Sequence, residues 1–231
     1  MTHLLLSGAM SMAFQLKSDM TYLDTPFILS TVVVGPLATN TYILGSKISG
    51  ECLIIDPGAE ATKIIAKVNE LNLKVIYIIN THGHGDHNGA VKAIKDFTGA
   101  EYGINDKDRR VIETSKLWAP SILPDYERPP IPDFSIISTA TIEVGDLSVE
   151  VLETPGHTPG SVCFYIKGFL FTGDTLFKNS IGRYDMDGGD REQIIDSIRS
   201  KLFALPSETV IMPGHGPKST IETEINQNPF F

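Results

Sequence analysis

Four side chains that can bind a metal ion lie within six consecutive positions: His82, His84, Asp86 and His87. Buried imidazole and carboxylate groups need polar partners, so a purely structural cluster of four would be costly. Glycines alternate with the first three of them, which lets the backbone bend until neighbouring side chains converge. This mixture of nitrogen and oxygen donors suits zinc, iron or manganese. The segment therefore predicts a metal site.

Three further donors lie in loops rich in glycine and proline, each after an apolar segment: His157, Asp174 and His215. Each one alone is typical of an ordinary loop. Five of the chain's six histidines nevertheless fall in such loops, and only His3 lies elsewhere. Because loops at one edge of a rigid scaffold commonly form the binding site, we expect these donors to meet the first cluster there.

The elements that must position this site can be predicted from the apolar pattern of the first half. Runs of β-branched residues that end at glycine or proline predict strands. They cover residues 27–35, 40–46, 51–58 and 74–80. Apolar residues at helical spacing predict helices over residues 60–71 and 89–97. The first donor cluster thus lies in a turn between a buried strand and a helix.

The second half repeats this organisation without repeating its residues. Hairpins are predicted around Gly145–Asp146 and around Lys167–Gly168, followed by a helix over residues 191–203 and a short strand after residue 208. Two strand-rich halves, each with amphipathic helices, predict an α+β fold in which two sheets pack face to face with helices outside, a four-layer αββα sandwich. We expect residues 21–231 to form one domain, with residues 1–20 as a leader or tag-like segment outside it.

Residues 115–133 contain five prolines, together with Trp118 and Tyr126. Proline lacks the backbone N–H that helices and sheets require, so the segment predicts a long loop without regular structure. Long loops in compact domains often shape a binding site, and an inert surface connection is the alternative. We expect Trp118 or Tyr126 to line the mouth of the pocket.

Composition restricts the partners and the compartment. A formal net charge of −9 without a basic run disfavours nucleic-acid binding. Apolar runs fall short of the roughly 20 residues that a membrane-spanning helix requires, so no membrane partner is expected. Cys52 and Cys163 lie inside apolar segments, which favours free, packed cysteines and a cytoplasmic location. Cys163 is expected to pack rather than to act as a nucleophile.

The donor series resembles the complete motif series of the metallo-β-lactamase superfamily, from about Phe27 onward. The resemblance implies that His82, His84 and His157 hold one metal ion and that Asp86, His87 and His215 hold a second. Asp174 would bridge the two ions together with a water or hydroxide. Asp86 and Asp174 are then the predicted catalytic residues. The expected cofactors are two divalent ions, with zinc favoured and iron or manganese as alternatives.

Within the superfamily, the sequence is most similar to short members of the glyoxalase II (hydroxyacylglutathione hydrolase) group. The residues that carry this likeness surround His157, Asp174 and His215. The resemblance implies a small-molecule thioester substrate, attacked by a metal-bridging hydroxide. Arg183 lies where the group places a cationic substrate contact, and a surface or structural ion pair is the alternative. The acyl group, the thiol carrier and the oligomeric state stay open.

Two other functions compete with thioester hydrolysis. Persulfide dioxygenases also resemble the sequence, and they use one iron ion on two histidines and an aspartate. The matching residues here are His84 or its neighbour, His157 and Asp174. The residues around His215 favour the hydrolase. A metal-dependent oxygen or thiol sensor is a non-enzymatic alternative. Tight metal binding without activity on thioesters or persulfides would favour it.

Overall fold

The computed structural model describes residues 20–22, 25–137 and 141–231, with side chains from residue 25 onward. The predicted leader covers residues 1–20, of which residues 1–19 lie outside the described residues. Met20 is the first residue of a strand and pairs with Thr31. The assignment of residues 21–231 to one domain stays a prediction.

The described residues form two large sheets. The first contains β1 Met20–Tyr22, β2 Ile28–Val34, β3 Thr39–Gly45, β4 Glu51–Ile55, β5 Lys74–Ile79, β6 Glu101–Ile104 and β7 Phe134–Ser135, side by side in that order. The second contains, in spatial order, β15 Ser219–Thr220, β14 Val210–Pro213, β11 Phe169–Gly173, β10 Val162–Ile166, β9 Leu147–Glu153 and β8 Thr141–Val144. A small hairpin pairs β12 Leu176–Phe177 with β13 Ser180–Ile181.

Helices accompany each sheet. They are α1 Ala61–Glu70, α2 Gly85–Asn88, α3 Val91–Thr98, α4 Arg109–Ser115, α5 Ala119–Ile122, α6 Arg191–Ser197 and α7 Ile221–Gln227. A 3₁₀ turn, Asp106–Asp108, precedes α4, and a π-helical turn, Ile198–Leu202, continues α6. Among the described residues, no helix combines the length and apolar character needed to cross a membrane.

The layers follow from the alternation of side chains along each strand. In β4, Leu53 and Ile55 pack between the two sheets, whereas Cys52 and Ile54 pack against α1 and α3. In β10, Phe164 faces the first sheet, and Cys163 belongs to the cluster that contains the α6 residue Ile194. Helix, sheet, sheet and helix therefore follow one another, and the predicted αββα sandwich is confirmed.

Both cysteines are buried and free, as predicted. Burial raises the pKa of the Cys163 thiol to about 11 and that of Cys52 to about 12. A thiol attacks as its thiolate, which these pKa values disfavour. Cys163 packs in an apolar cluster, as predicted, and its raised pKa disfavours a role as a nucleophile.

The predicted strands and both predicted hairpins are present. Lys167 and Gly168 both have positive φ angles, 45° and 84°, the backbone that a two-residue hairpin turn requires. The predicted helix over residues 89–97 is α3, which begins two residues later, at Val91, and the separate short helix α2 precedes it in the donor turn.

The prediction that residues 115–133 lack regular structure is wrong at one place. Helix α5 lies within this segment, with Pro120 in its first turn. Proline is tolerated there because the first N–H groups of a helix have no partner inside the helix. The short α5 places Trp118 and Ile122 at its two ends.

Candidate metal centre

The donor residues follow strands that end at one edge of the two sheets. His82 and His84 follow β5, and α2 carries Asp86 and His87. In the second sheet, β11 and β14 run parallel and are neighbours, so their carboxyl ends lie together. Asp174 follows β11, His215 follows β14, and His157 lies in the loop between β9 and β10. Two sheets that face each other thereby bring four separate loops to one place.

Seven predicted donors come together in two triads that share one aspartate. In the first triad, which contains His82, His84 and His157, the candidate donor atoms all lie within 4.8 Å of one another. The second triad contains Asp86, His87 and His215 and meets the same limit. Asp174 contacts both, since one carboxylate oxygen lies 3.3 Å from His87 Nε2 and the other 3.7 Å from His157 Nε2.

Hydrogen bonds at the far side of three imidazole rings direct their lone pairs inward. His87 Nδ1 donates to Asp56 Oδ2 at 3.0 Å, His157 Nδ1 to the Arg183 carbonyl at 2.7 Å, and His215 Nδ1 to the Leu37 carbonyl at 3.0 Å. A neutral imidazole with its proton on Nδ1 has its lone pair on Nε2.

These inward lone pairs meet one another. The Nε2 atoms of His87 and His215 are 3.1 Å apart, and His82 Nε2 is buried without a hydrogen-bond partner. Facing lone pairs repel unless a cation or a proton lies between them, and a buried nitrogen without a partner is costly. The donor set therefore fits metal ions, and the seven residues are the ones that would hold them.

The electrostatics differ between the triads. Burial lowers the pKa of His84 to about 4 and holds that of His82 well below its usual range, so both are neutral at physiological pH. Burial also lowers the pKa of His87, but the carboxylates of Asp174, Asp86 and Asp56 outweigh it and raise that pKa. This rise reflects the negative potential that a cation meets at the second triad.

Asp56 is a site residue that the sequence analysis missed. Its buried carboxylate accepts from His87 Nδ1, from the Thr81 N–H at 2.7 Å and from Asn80 Nδ2 at 3.1 Å. A carboxylate behind a metal-binding histidine fixes the ring orientation and the tautomer. The signal was present, because Asp56 directly follows an apolar strand, as Asp174 does.

Asp108 is a second missed residue, and it connects two donor loops. Its fully buried carboxylate accepts from the Gly83 N–H at 2.7 Å, between His82 and His84. It also accepts from Thr158 Oγ1 at 2.7 Å and from the Gly160 N–H at 2.6 Å, in the loop that carries His157. One side chain thus ties together the loops that supply the first triad. The charged run around it resembles a solvated surface, so the sequence offered no signal.

A cavity of about 550 Å³ adjoins the donors, and its lining includes Trp118 and Arg183. Trp118 therefore lies at the pocket, whereas the Tyr126 ring packs beneath the donor turn, against Gly85 and Gly89. The Arg183 guanidinium is paired with Asp185 at 3.0 and 3.1 Å. The alternative of a surface ion pair is thus present, and a substrate contact of Arg183 stays a prediction.

The family whose sequence profile matches the chain is the metallo-beta-lactamase superfamily, over residues 34–215. The hydroxyacylglutathione hydrolase GloC of Haemophilus influenzae is 40% identical over 182 residues, which cover 77% of this chain and 85% of that protein. The probable metallo-hydrolase YqgX of Bacillus subtilis is 36% identical over 85% of this chain and 94% of its own.

Two solved structures extend the likeness to the whole fold. The B3 metallo-beta-lactamase BLEG-1 superposes with a TM-score of 0.80 at 35% identity, covering 87% of this chain and 98% of its own. TTHA1623, solved in a di-iron-bound form, gives a TM-score of 0.79 at 34% identity, covering 87% of this chain and 99% of its own. That relative holds two metal ions on a closely similar backbone.

Proposed function

Because this chain belongs to the metallo-β-lactamase superfamily, we propose that it is a metal-dependent hydrolase that cleaves thioesters of the hydroxyacylglutathione type. The observation that carries the proposal is the pair of donor triads that share Asp174 at the base of one cavity. The named activity of the relative GloC supports the choice of a thioester.

Each triad would hold one divalent ion, with Asp174 between them. When bound, two such ions supply a water that is acidic enough to attack as hydroxide near neutral pH, and they polarise the carbonyl under attack. Zinc is the proposed metal, with iron or manganese as alternatives that suit the same donors. Asp86 and Asp174 are the proposed catalytic residues, because both carboxylates lie in the cavity lining where water would approach the substrate.

Hydrogen-bond acceptors within the chain would hold the donor imidazoles in the state that binds metal. Asp56 and the carbonyl oxygens of Arg183 and Leu37 each accept an Nδ1 proton, which holds three imidazoles in the tautomer that binds metal through Nε2. In the reaction, a C–O bond forms at the acyl carbon and the C–S bond breaks. One proton of the water ends on the departing thiolate and the other passes to solvent, so the products are a carboxylate, a thiol and a released proton.

Thioester chemistry suits a site of this composition. A thiolate leaves readily, so the site needs a nucleophile and charge stabilisation at the carbonyl oxygen but no strong general acid. A covalent route through cysteine is disfavoured, because Cys163 is buried with a raised pKa. Hydrolysis by activated water is the route that these residues support.

The test combines metal analysis with a substrate panel. Protein purified without added metal or chelator is expected to contain about two metal ions per chain by elemental analysis, and to hydrolyse S-D-lactoylglutathione. A β-lactam belongs in the panel because BLEG-1 is named as a lactamase. Metallated protein that cleaves the β-lactam but no thioester would contradict the proposed substrate class.

A mononuclear iron persulfide dioxygenase is the second candidate. His84, His157 and Asp174 supply the two histidines and one carboxylate of iron sites that activate O₂, and His84 Nδ1 lies 3.0 Å from His157 Nε2. The complete second triad favours the hydrolase. One iron ion per chain, with O₂ consumption when a persulfide is added, would reverse that preference.

A further inference from the structure

The cavity beside the donors has apolar walls from both halves of the chain. The first half contributes Leu37, Trp118 and Ile122, and the second half contributes Phe177, Ile181 and Met186. Leu37 and Ile122 are 41% and 39% exposed, so the protein leaves large apolar side chains open to water at a concave surface. A contiguous patch of this kind commonly marks a binding site for an apolar group.

An aromatic ring of the wall lies beside each triad. The centroid of the Trp118 ring lies 6.4 Å from that of His84, and the centroid of the Phe177 ring lies 6.3 Å from that of His215. A carbonyl that reacts at the shared Asp174 therefore has an aromatic surface within reach on either side. A group attached to that carbonyl would extend away from the donor residues and lie against apolar side chains.

The charged side chains of the cavity lining also favour an uncharged group over an anionic one. Among the described residues that line the cavity, Arg183 is the one lysine or arginine. Its guanidinium already makes two hydrogen bonds to Asp185, so a substrate carboxylate would have to displace that partner.

We propose that the acyl group of the substrate is uncharged and apolar, of aryl or medium-chain size, and that it binds against Trp118 and Phe177. This inference rests on the proposed function for the identity of the bond that is cleaved. The small uncharged lactoyl group would occupy part of the cavity, and a longer apolar acyl group would fill it. Each buried methylene should raise kcat/KM about fourfold until the cavity is full.

The experiment varies the acyl group on one uncharged thiol, N-acetylcysteamine, using the holoenzyme. Acetyl, butyryl, hexanoyl and benzoyl thioesters are compared with the anionic succinyl thioester. The hexanoyl and benzoyl compounds are expected to exceed the acetyl compound in kcat/KM by about 10-fold or more. A succinyl thioester that reacts as well as the butyryl thioester would overturn the proposal.

Variants of the two aromatic residues test whether their rings contact the acyl group. Trp118→Ala and Phe177→Ala are expected to reduce the gain per methylene while two metal ions per chain remain bound. Leu117→Ala is the matched control, because its side chain is 79% exposed and lies outside the cavity lining on the same segment. If Trp118→Ala lowers kcat/KM for all acyl groups equally, the ring supports the site without contacting the acyl group, and the proposal is wrong.

Binding of uncleavable compounds separates this inference from the proposed function. Trp118 is the only tryptophan of the chain, so intrinsic fluorescence reports on this cavity. Ketone analogues with CH₂ in place of sulfur are expected to change the fluorescence with saturation, and the hexanoyl analogue is expected to bind more tightly than the succinyl analogue. This preference without thioester hydrolysis would retain the apolar site and reject the thioesterase. Thioester hydrolysis without this binding preference would retain the thioesterase and reject the apolar site.

Discussion

The two donor triads are enclosed alike but differ in charge. Each has two buried donors and one half-buried donor, which is His84 in the first triad and His215 in the second. In the first, which contains imidazoles alone, burial holds the pKa of His82 and His84 low. In the second, carboxylates raise the pKa of both His87 and His215. A triad of imidazoles and a triad with an anionic donor thus lie side by side, joined at Asp174.

The triads also depend unequally on two buried carboxylates. Asp56 accepts directly from a donor ring of the second triad, at His87 Nδ1, and reaches His82 of the first triad only through the Thr81 hydroxyl. Asp108 reaches no donor ring and instead accepts backbone and hydroxyl protons from the loops on either side of the first triad. Because each carboxylate acts mainly on one triad, the two triads can be weakened to different extents.

The largest effect is expected where the triads meet. Asp174→Ala removes the carboxylate that contacts both triads, so metal content should fall well below two ions per chain and kcat/KM should fall by at least about 10³-fold, or about 4 kcal/mol. Elemental analysis and thioester kinetics measure both. Asp125→Ala, an exposed carboxylate, is the control. Retention of two ions with loss of stability alone would mean that Asp174 is merely structural.

A smaller effect, larger at the second triad than at the first, is expected for Asp56→Asn. The amide presents N–H groups toward His87 or Thr81, so the His87 ring loses its fixed tautomer, and affinity at one of the two sites should fall by about 100-fold. Competitive titration of the apoprotein with a chromophoric chelator resolves the two affinities. Equal loss at both sites would show that the triads are not separable.

Asp108→Asn is expected to weaken the other site by about 10-fold, because its action reaches the donors only through the loop backbone. Asp106→Asn is the matched control, since Asp106 is exposed in the same 3₁₀ turn and pairs with Arg109. The double variant with Asp56→Asn tests the comparison directly. Losses that add in the double variant would indicate that the two carboxylates act independently. An unchanged affinity at the site of the first triad in Asp108→Asn would remove Asp108 from that role.

The smallest effect is expected for Arg183→Ala. The backbone carbonyl that orients His157 remains in this variant, so metal content should be unchanged. The side chain is already paired with Asp185, so KM for the succinyl thioester should rise by no more than about threefold. A larger rise, confined to anionic thioesters, would restore Arg183 as a direct contact to a substrate carboxylate.

Much of the fold could be predicted because its signals are local. The alternation in β4 and β10 separates the residues that face the other sheet from those that face the helices. The positive φ angles of Lys167 and Gly168 fit the predicted hairpin. At α5 the local signal is ambiguous, because Pro120 is compatible with either a loop or the first turn of a helix. Packing decided between these two conformations.

The sequence by itself determined the donor chemistry of this protein. His82, His84, Asp86 and His87 are close in the chain, and a strand-to-helix turn suffices to bring them together. Tertiary structure alone decided which groups support them, since the partners of Asp108 lie 25, 50 and 52 positions away. The choice of Trp118 over Tyr126 at the cavity was also decided there. Donor type is a property of the side chain, whereas hydrogen-bond partners and enclosure depend on which distant segments the two sheets bring into contact.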